Sequence, residues 1–331
     1  MENSILQLFP AQRRRFWTEI AGRQKDIREI RLRVNRPIMI NCTGKEFYVN
    51  SEGNPTHNPD EARSIGGGEL EELLEHICHY SLYAYEEELR QGFLTVAGGH
   101  RIGVAGQAVM SEGGDIRTIR NIRFLNIRVA HEVKGAADRL LPSVYDDGDL
   151  LNTLIISPPG CGKTTLLRDL VRQVSNGNPY GRGMTVGVAD ERSEIAGAYG
   201  GEPQNDIGIR TDVLDNCPKE KAMMLLLRSM SPEVIAIDEL GKPGELEALR
   251  SAAACGCRIL ATAHGNGVED LDTRFGRGSY KSLFHRIVLL DKKKGAGCIR
   301  EVLRGGVGSA QGSGKLYDPD WKFGNGIPVS K

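Results

Sequence analysis

The sequence predicts an α/β fold, a mostly parallel sheet with helices on its faces, preceded by a smaller mixed α+β domain. Three observations carry that expectation. Residues 151–167 read LNTLIISPPGCGKTTLL: an apolar strand pattern, a glycine-bearing turn and the start of an amphipathic helix. From there onward short β-branched runs alternate with helical patterns, and such alternation folds as right-handed crossovers onto a parallel sheet. Before residue 135, period-two alternation and a hairpin signal mix with one helical stretch.

With 331 residues the chain has room for about two domains and a sizeable core. Hydrophobic residues at 40% and charged residues at 26% are those of a soluble globular protein. Lys plus Arg and Asp plus Glu both number 43, so no net field draws the chain to nucleic acid or acidic lipid. The opening, MENSILQLFPAQRRRFW, holds too short an apolar run for a signal peptide, and no later stretch approaches a membrane-spanning length. Seven cysteines without C-x-x-C spacing point to reduced thiols in a cytosol-like compartment. Cys255-Gly256-Cys257 lacks a second pair at metal-site spacing.

The N-terminal mixed domain is expected over residues 1–135. Residues 28–41 alternate as one half-buried strand, and Leu70, Leu73, Leu74, Ile77 and Cys78 fall on one face of a helix. Residues 93–97 and 101–105 flank Gly98-Gly99-His100 as a hairpin. An Ile-Arg repeat covers residues 116–123, with a closing strand at 125–129. Around residues 134–148, Pro142 and Asp-Asp-Gly-Asp mark a junction. The second domain is expected over residues 136–304, with strands at 153–157, 184–189, 234–237, 258–262 and 286–290 and helices at 163–174, 219–230 and 245–255. Residues 305–331 form a glycine-rich tail expected to be flexible.

The chemistry concentrates after residue 151. Pro158, Pro159, Gly160, Cys161, Gly162, Lys163, Thr164 and Thr165 have the pattern of a phosphate loop. Gly160 and Gly162 permit the positive φ that lets successive backbone N–H groups converge on a phosphate. Lys163 is suited to the β- and γ-phosphates, and the Thr164 hydroxyl to Mg²⁺. Ser157 stands where the full G-x-x-x-x-G-K-[ST] pattern has its first glycine. About seventy-five residues on, the apolar run 234–237 ends in Asp238-Glu239. Asp238 is a Mg²⁺ ligand through water, and Glu239 the base that takes a proton from an attacking water. A second apolar run, RILATAHG, brings Thr262 and His264 toward the γ-phosphate, with His264 assigned to catalysis. Asp190-Glu191-Arg192-Ser193-Glu194 follows another strand, either as acids beside the site or as a capped helix start. Hydrolysis also needs a positive charge, for which Arg210, Arg228, Arg117, Arg120, Arg123 and Arg128 are candidates. His100, His131 and His285 read as structural.

Taken together these residues resemble the stage III sporulation AA family of endospore-forming bacteria. The resemblance rests on SLYAYEEELRQGFLTVAGGHRIGVAG, LNIRVAHEVKG, PPGCGKTTLLRDL, VADERSEIAG, MSPEVIAIDELGKPG and LATAHG. That family is itself similar to the secretion and pilus motor ATPases, with their acidic box, second acidic strand and histidine box. Here Asp190, Glu191 and Glu194 fall at the first, Asp238-Glu239 at the second and His264 at the third. The resemblance implies a RecA-like P-loop ATPase core using ATP and Mg²⁺, in a homo-oligomer that is a hexamer. It further implies the motor of a channel complex between mother cell and forespore, cytoplasmic on the mother-cell side. Its partners would be membrane proteins of that complex, so membrane contact is indirect, and no nucleic acid is expected. Ser157 departs from the pattern, as does Asp238 where many secretion motors carry glycine before the glutamate. Two other readings share the core. A nucleic-acid motor would use Lys292-Lys293-Lys294 and the arginines of 117–128, and a nucleotide-dependent assembly switch would leave Glu239 little purpose.

Overall fold

The computed structural model describes residues 4–42, 45–81, 85–291 and 297–305. The expected tail beyond residue 305 and Lys292-Lys293-Lys294 lie outside the described residues. The chain divides into two compact units, residues 1–131 with 197–205, and residues 132–196 with 206–331. The division is therefore not a single cut in the sequence.

In the first unit, α1 (Ser4–Gln7) and α2 (Arg14–Gly22) precede β1 (Ile27–Arg33), β2 (Met39–Cys42), β3 (Lys45–Val49) and β4 (Pro55–Thr56). After α3 (Gly67–Ile77) and α4 (Glu86–Gln91) come β5 (Phe93–Val96), β6 (His100–Met110) and β7 (Ile116–Arg128). The strands form one sheet in the order β4-β3-β2-β1-β7-β6-β5, antiparallel at each ladder. The single strand expected over 28–41 is two, β1 and β2, because Asn35 takes a φ of 58° and Pro37 has no N–H to donate between them. Conversely, the two segments expected at 116–129 are one strand, whose pairing with β6 shifts register after Ala105. The core of this unit gathers Leu70, Leu73, Leu74 and Ile77 from α3 with Ile30, Ile102 and Ile127 from the sheet. Trp17 is buried against Phe9, the rings stacked 4.0 Å apart. Residues 197–205 belong here too: the Gly98 N–H donates to Gln204 Oε1 at 2.9 Å, and the Tyr199 hydroxyl meets His79 Nε2.

The second unit begins with α5 (Leu141–Val144) and the short β8 (Tyr145–Asp146) and β9 (Asp149–Leu150). Strands and helices then alternate: β10 (Thr153–Ser157), α6 (Lys163–Asn176), β11 (Val186–Asp190), β12 (Thr211–Asp215), α7 (Lys219–Ser229), β13 (Val234–Ile237) and α8 (Pro243–Ala254). The series closes with β14 (Arg258–His264), α9 (Val268–Phe275), β15 (Arg286–Asp291) and β16 (Cys298–Arg304). The sheet order is β12-β11-β13-β14-β10-β15-β16, parallel except where β16 runs back along β15. Every residue of β10, β11 and β13 is buried, as for strands covered on both faces. β12, α9 and β16 were not expected. β12 (TDVLD) has only Val213-Leu214 as an apolar pair between polar residues at the sheet's edge, is half-buried throughout, and lacks the continuous apolar run of its neighbours. Parallel sheets collect ligands at the carboxyl ends of their strands, where β10, β11, β13 and β14 deliver Ser157, Asp190, Ile237 and His264.

Candidate functional site

β10 ends at Ser157, fully buried and aligned in register with His264 of β14. Its hydroxyl donates to the Pro158 carbonyl at 2.9 Å, so the absent glycine leaves a serine closed on its own turn. Gly160 (φ 67°) and Gly162 (φ 85°) occupy the left-handed region that side chains disfavour. α6 starts at once with Lys163, Thr164 and Thr165. The first amides of a helix lack intrahelical partners and sit at its positive end, so this is an anion-receiving turn. Cys161 is buried, and its carbonyl accepts from the Gly297 N–H at 2.6 Å, which makes it the loop's inward anchor. Leu166, Leu167, Leu170, Val171 and Val174 hold the helix to the core.

β13 runs buried to Ile237 and hands the chain to Asp238. β14 lies between β13 and β10, so two strand spacings, roughly 10 Å, separate the acid from the loop strand. The interval is closed from both sides, by the Asp238 carboxylate and by Thr164 in the first turn of α6. Oδ2 accepts from the Thr164 hydroxyl at 2.6 Å, and Oδ1 accepts from the Thr262 hydroxyl. Thr262 in turn accepts the Glu239 N–H at 2.8 Å. This corrects the expectation that Thr262 emerges with His264: it is fully buried, its hydroxyl engaged between the two acids. His264 is half-buried at the strand end, its carbonyl accepting from Arg274 at 3.1 Å. Glu239 has φ of 59°, uncommon for a residue with a side chain.

Asp190 closes β11, one residue later than the expected strand end, and its carboxylate turns back to the chain. It accepts the N–H groups of Glu194 (2.8 Å), Ile195 (3.0 Å) and Ala196 (2.8 Å). Burial pushes its pKa up to about 6 despite those donors, with Asp215 adding to the rise. No helix follows, so Ser193 is not a cap; its hydroxyl donates to Asp215 at 2.6 Å. Arg168 of α6 donates to the carbonyls of Glu194 (2.6 Å) and Ile195 (2.7 Å), tying the loop's helix to the acidic turn. A cavity of about 270 Å³ opens here, lined in part by Glu191, Arg192, Lys219, Asp238, Glu239 and Glu245.

A family model described as sporulation stage III, protein AA matches residues 1–307. The chain belongs to that family. Its sequence is 40% identical over 306 residues to stage III sporulation protein AA of Bacillus subtilis (strain 168), covering 91% of this chain and 94% of that protein. Among solved structures, the ATPase DotB of Legionella pneumophila aligns with a TM-score of 0.56 at 18% identity, over 85% of this chain and 76% of that one. The pilus retraction motor PilT, solved with ADP, aligns at 0.59 and 15% identity, over 89% and 84%. The family member thus shares the α/β fold of secretion and pilus ATPases. Among its described residues no helix is long and apolar enough to cross a membrane.

The structure brings the phosphate loop, Asp238, Glu239 and His264 to one edge of the sheet. It does not bring Arg210 there: that guanidinium donates to the Ser175 carbonyl at 2.9 Å, near the far end of α6. Arg228 lies in the last turn of α7, whose first residue, Lys219, lines the cavity. In the first unit, Arg123 pairs with Glu71 at 3.1 Å and Arg128 with Glu29 at 3.6 Å on β7. The arginine paired with the Glu239 carboxylate is instead Arg192, at 3.6 Å. Lys219, Arg168 and Glu245 were also missed. Lys219 had left a signal: a lysine opening a helix opposes the helix dipole and calls for a reason elsewhere.

Proposed function

We propose that this chain hydrolyses ATP to ADP and phosphate and acts as a secretion-like motor of the channel complex between mother cell and forespore. The observation that carries the reading is the 2.6 Å hydrogen bond from Thr164 to Asp238, which joins the helix of a glycine-rich loop to an acid strand two strands away. The residues present fit a magnesium triphosphate. Gly160 and Gly162 open the loop without a side chain in the turn, and a hydroxyl and a carboxylate already paired are the two groups that hold Mg²⁺ in such sites. Bound there, Mg²⁺ would supply the charge that offsets the phosphate oxygens.

The chain's own groups divide the remaining work. The loop amides from Gly160 to Thr165 and the Lys163 ammonium bind and orient the phosphates, with Pro159, which has no N–H, shaping the turn before them. Pro158 sets the turn's entry, and Cys161 anchors the loop from below. Glu239, partly exposed and one residue beyond Asp238, takes the proton from the attacking water. His264, beside Ser157 in the register, reads the terminal phosphate. A homo-oligomer, hexameric as in the resemblance, would act on membrane proteins of the complex, with the membrane reached only through them. Glu239→Gln is expected to keep ATP affinity within about threefold while turnover falls by about 10²-fold or more. Unchanged turnover in that variant would remove Glu239 from the mechanism.

A further inference from the structure

Lys219 is a buried cation that the hydrolytic scheme above leaves without a role. It opens α7, the first position of a helix, where the dipole disfavours positive charge, and only 8% of its surface is exposed. A lysine is held so only if its ammonium has partners strong enough to replace water. Those partners converge on one turn. The Nζ donates to the main-chain carbonyl of Glu239 at 2.7 Å and to that of Asp238 at 3.2 Å. It also stands 3.3 Å from Glu245 and 3.5 Å from Glu191. Glu245 uses its other oxygen to accept the N–H groups of Gly241 (2.7 Å) and Lys242 (3.0 Å). The segment 238–242 is thus gripped at its carbonyls by Lys219 and at its later amides by the carboxylate that Lys219 pairs with.

At the centre of the segment is Glu239, in the left-handed region at φ 59°. A side-chain-bearing residue stays there only when its surroundings over-determine the backbone. From the β14 side, Thr262 holds the Glu239 N–H at 2.8 Å and the Leu240 N–H at 2.6 Å through its hydroxyl and carbonyl. From the α7 side, Lys219 is, among the described residues, the charged group that holds the two carbonyls. Without Lys219, the peptide after Glu239 keeps its N–H bond to the Thr262 carbonyl but loses the grip on its own carbonyl, so the left-handed conformation that aims the carboxylate loses one of its restraints.

We infer that Lys219 is a positioning residue: by binding the carbonyls of Asp238 and Glu239 it fixes the backbone conformation that aims the Glu239 carboxylate. The inference rests on the hydrolytic reading of Glu239, but its backbone part does not.

Two measurements on Lys219→Met test it separately. The first is hydrogen exchange without nucleotide. Exchange of the amides of residues 239–242 is expected to accelerate at least tenfold over wild type, with the amides of residues 166–174 in α6 unchanged. Equal protection of 239–242 overturns the inference whatever the protein hydrolyses. The second uses ATP and Mg²⁺. ATP affinity is expected to stay within about threefold while turnover falls about as far as in Glu239→Gln, and the double variant Lys219→Met/Glu239→Gln is expected to fall no further. Losses that multiply in the double variant, or a parallel loss of ATP affinity, would show that Lys219 acts otherwise and overturn the inference. Because removing Lys219 leaves Glu245 buried without a cation, the same measurements are made on Lys219→Met/Glu245→Gln, which removes both charges together and keeps an acceptor for the 241 and 242 amides. Wild-type protein that neither binds nor hydrolyses ATP would sink the proposed function, while accelerated exchange at 239–242 would still support the positioning contact.

Discussion

Asp190 shows how much a single side chain tells about its surroundings. Its three N–H donors favour the charged form, yet burial outweighs them and lifts the pKa to about 6. In an unfolded chain the same acid titrates near 3.9. The folded protein therefore binds the proton more tightly, and this group's contribution to stability grows as pH falls from about 6 toward 4. Between pH 7 and pH 5 the stability of wild type relative to Asp190→Asn is expected to rise by about 1 kcal/mol, read from paired denaturant titrations. A flat difference would mean the carboxylate is better solvated than its burial suggests. Thr262 supports a second expectation. Thr262→Val leaves Asp238 without one donor and the Glu239 amide without its acceptor, a loss of about 1–3 kcal/mol measurable by the same method. Turnover should drop with it.

Among structural elements, α6 carries the most. Its buried face sets the height at which Lys163, Thr164 and Thr165 meet the sheet's edge, and Arg168 on it holds the acidic turn. Leu167→Ala is expected to cost about 2–5 kcal/mol, as buried leucine truncations do, and to weaken ATP binding as the loop loses its support. Calorimetry and nucleotide titration would separate the two effects. β10, α6 and β13 were legible in the sequence nearly to the residue, because each is a continuous apolar run or a strongly periodic one ending at a proline pair, a glycine or an acid. β12 was not, since two apolar residues flanked by Thr211, Asp212 and Asp215 carry neither the continuous run of a buried parallel strand nor a period-two pattern. The site divided along the same line. Gly160, Gly162, Thr164, Asp238 and Glu239 are fixed by local pattern, whereas Lys219 and Arg168 act on carbonyls far along the chain. Main-chain acceptors have no residue identity to read.

Across the whole molecule, two buried groups, one in each unit, respond to acid in opposite senses. His100 in the first unit is buried between Ser4 (2.9 Å) and the Ala130 N–H (3.0 Å), and burial, with His131 adding, lowers its pKa to about 4. Free histidine titrates near 6.5, so the stability His100 contributes is complete above that value and is lost as pH falls toward 4. From pH 7 to pH 5 the loss is about 2 kcal/mol, against the gain from Asp190 in the second unit. Calorimetric scans at the two values should show the transition assigned to the first unit moving down in temperature at pH 5, with His100→Gln removing most of that movement. The proposed oligomeric ATPase, with a site shared between subunits, adds a further expectation: specific activity that rises with protein concentration together with particle size. Activity that stayed level while the particle grew would count against a site completed by a neighbour.

The chain leaves the second unit after Ala196, places residues 197–205 in the first, and returns at Asp206. Dissection must respect that detour. A fragment ending at His131 would lack the glutamine that receives the Gly98 amide and the tyrosine that meets His79, while a fragment starting at Glu132 would carry both with nothing to receive them. No scission at one point yields two whole pieces. Genetic swaps between relatives that exchange only the amino-terminal half should likewise fail unless those nine residues travel with it.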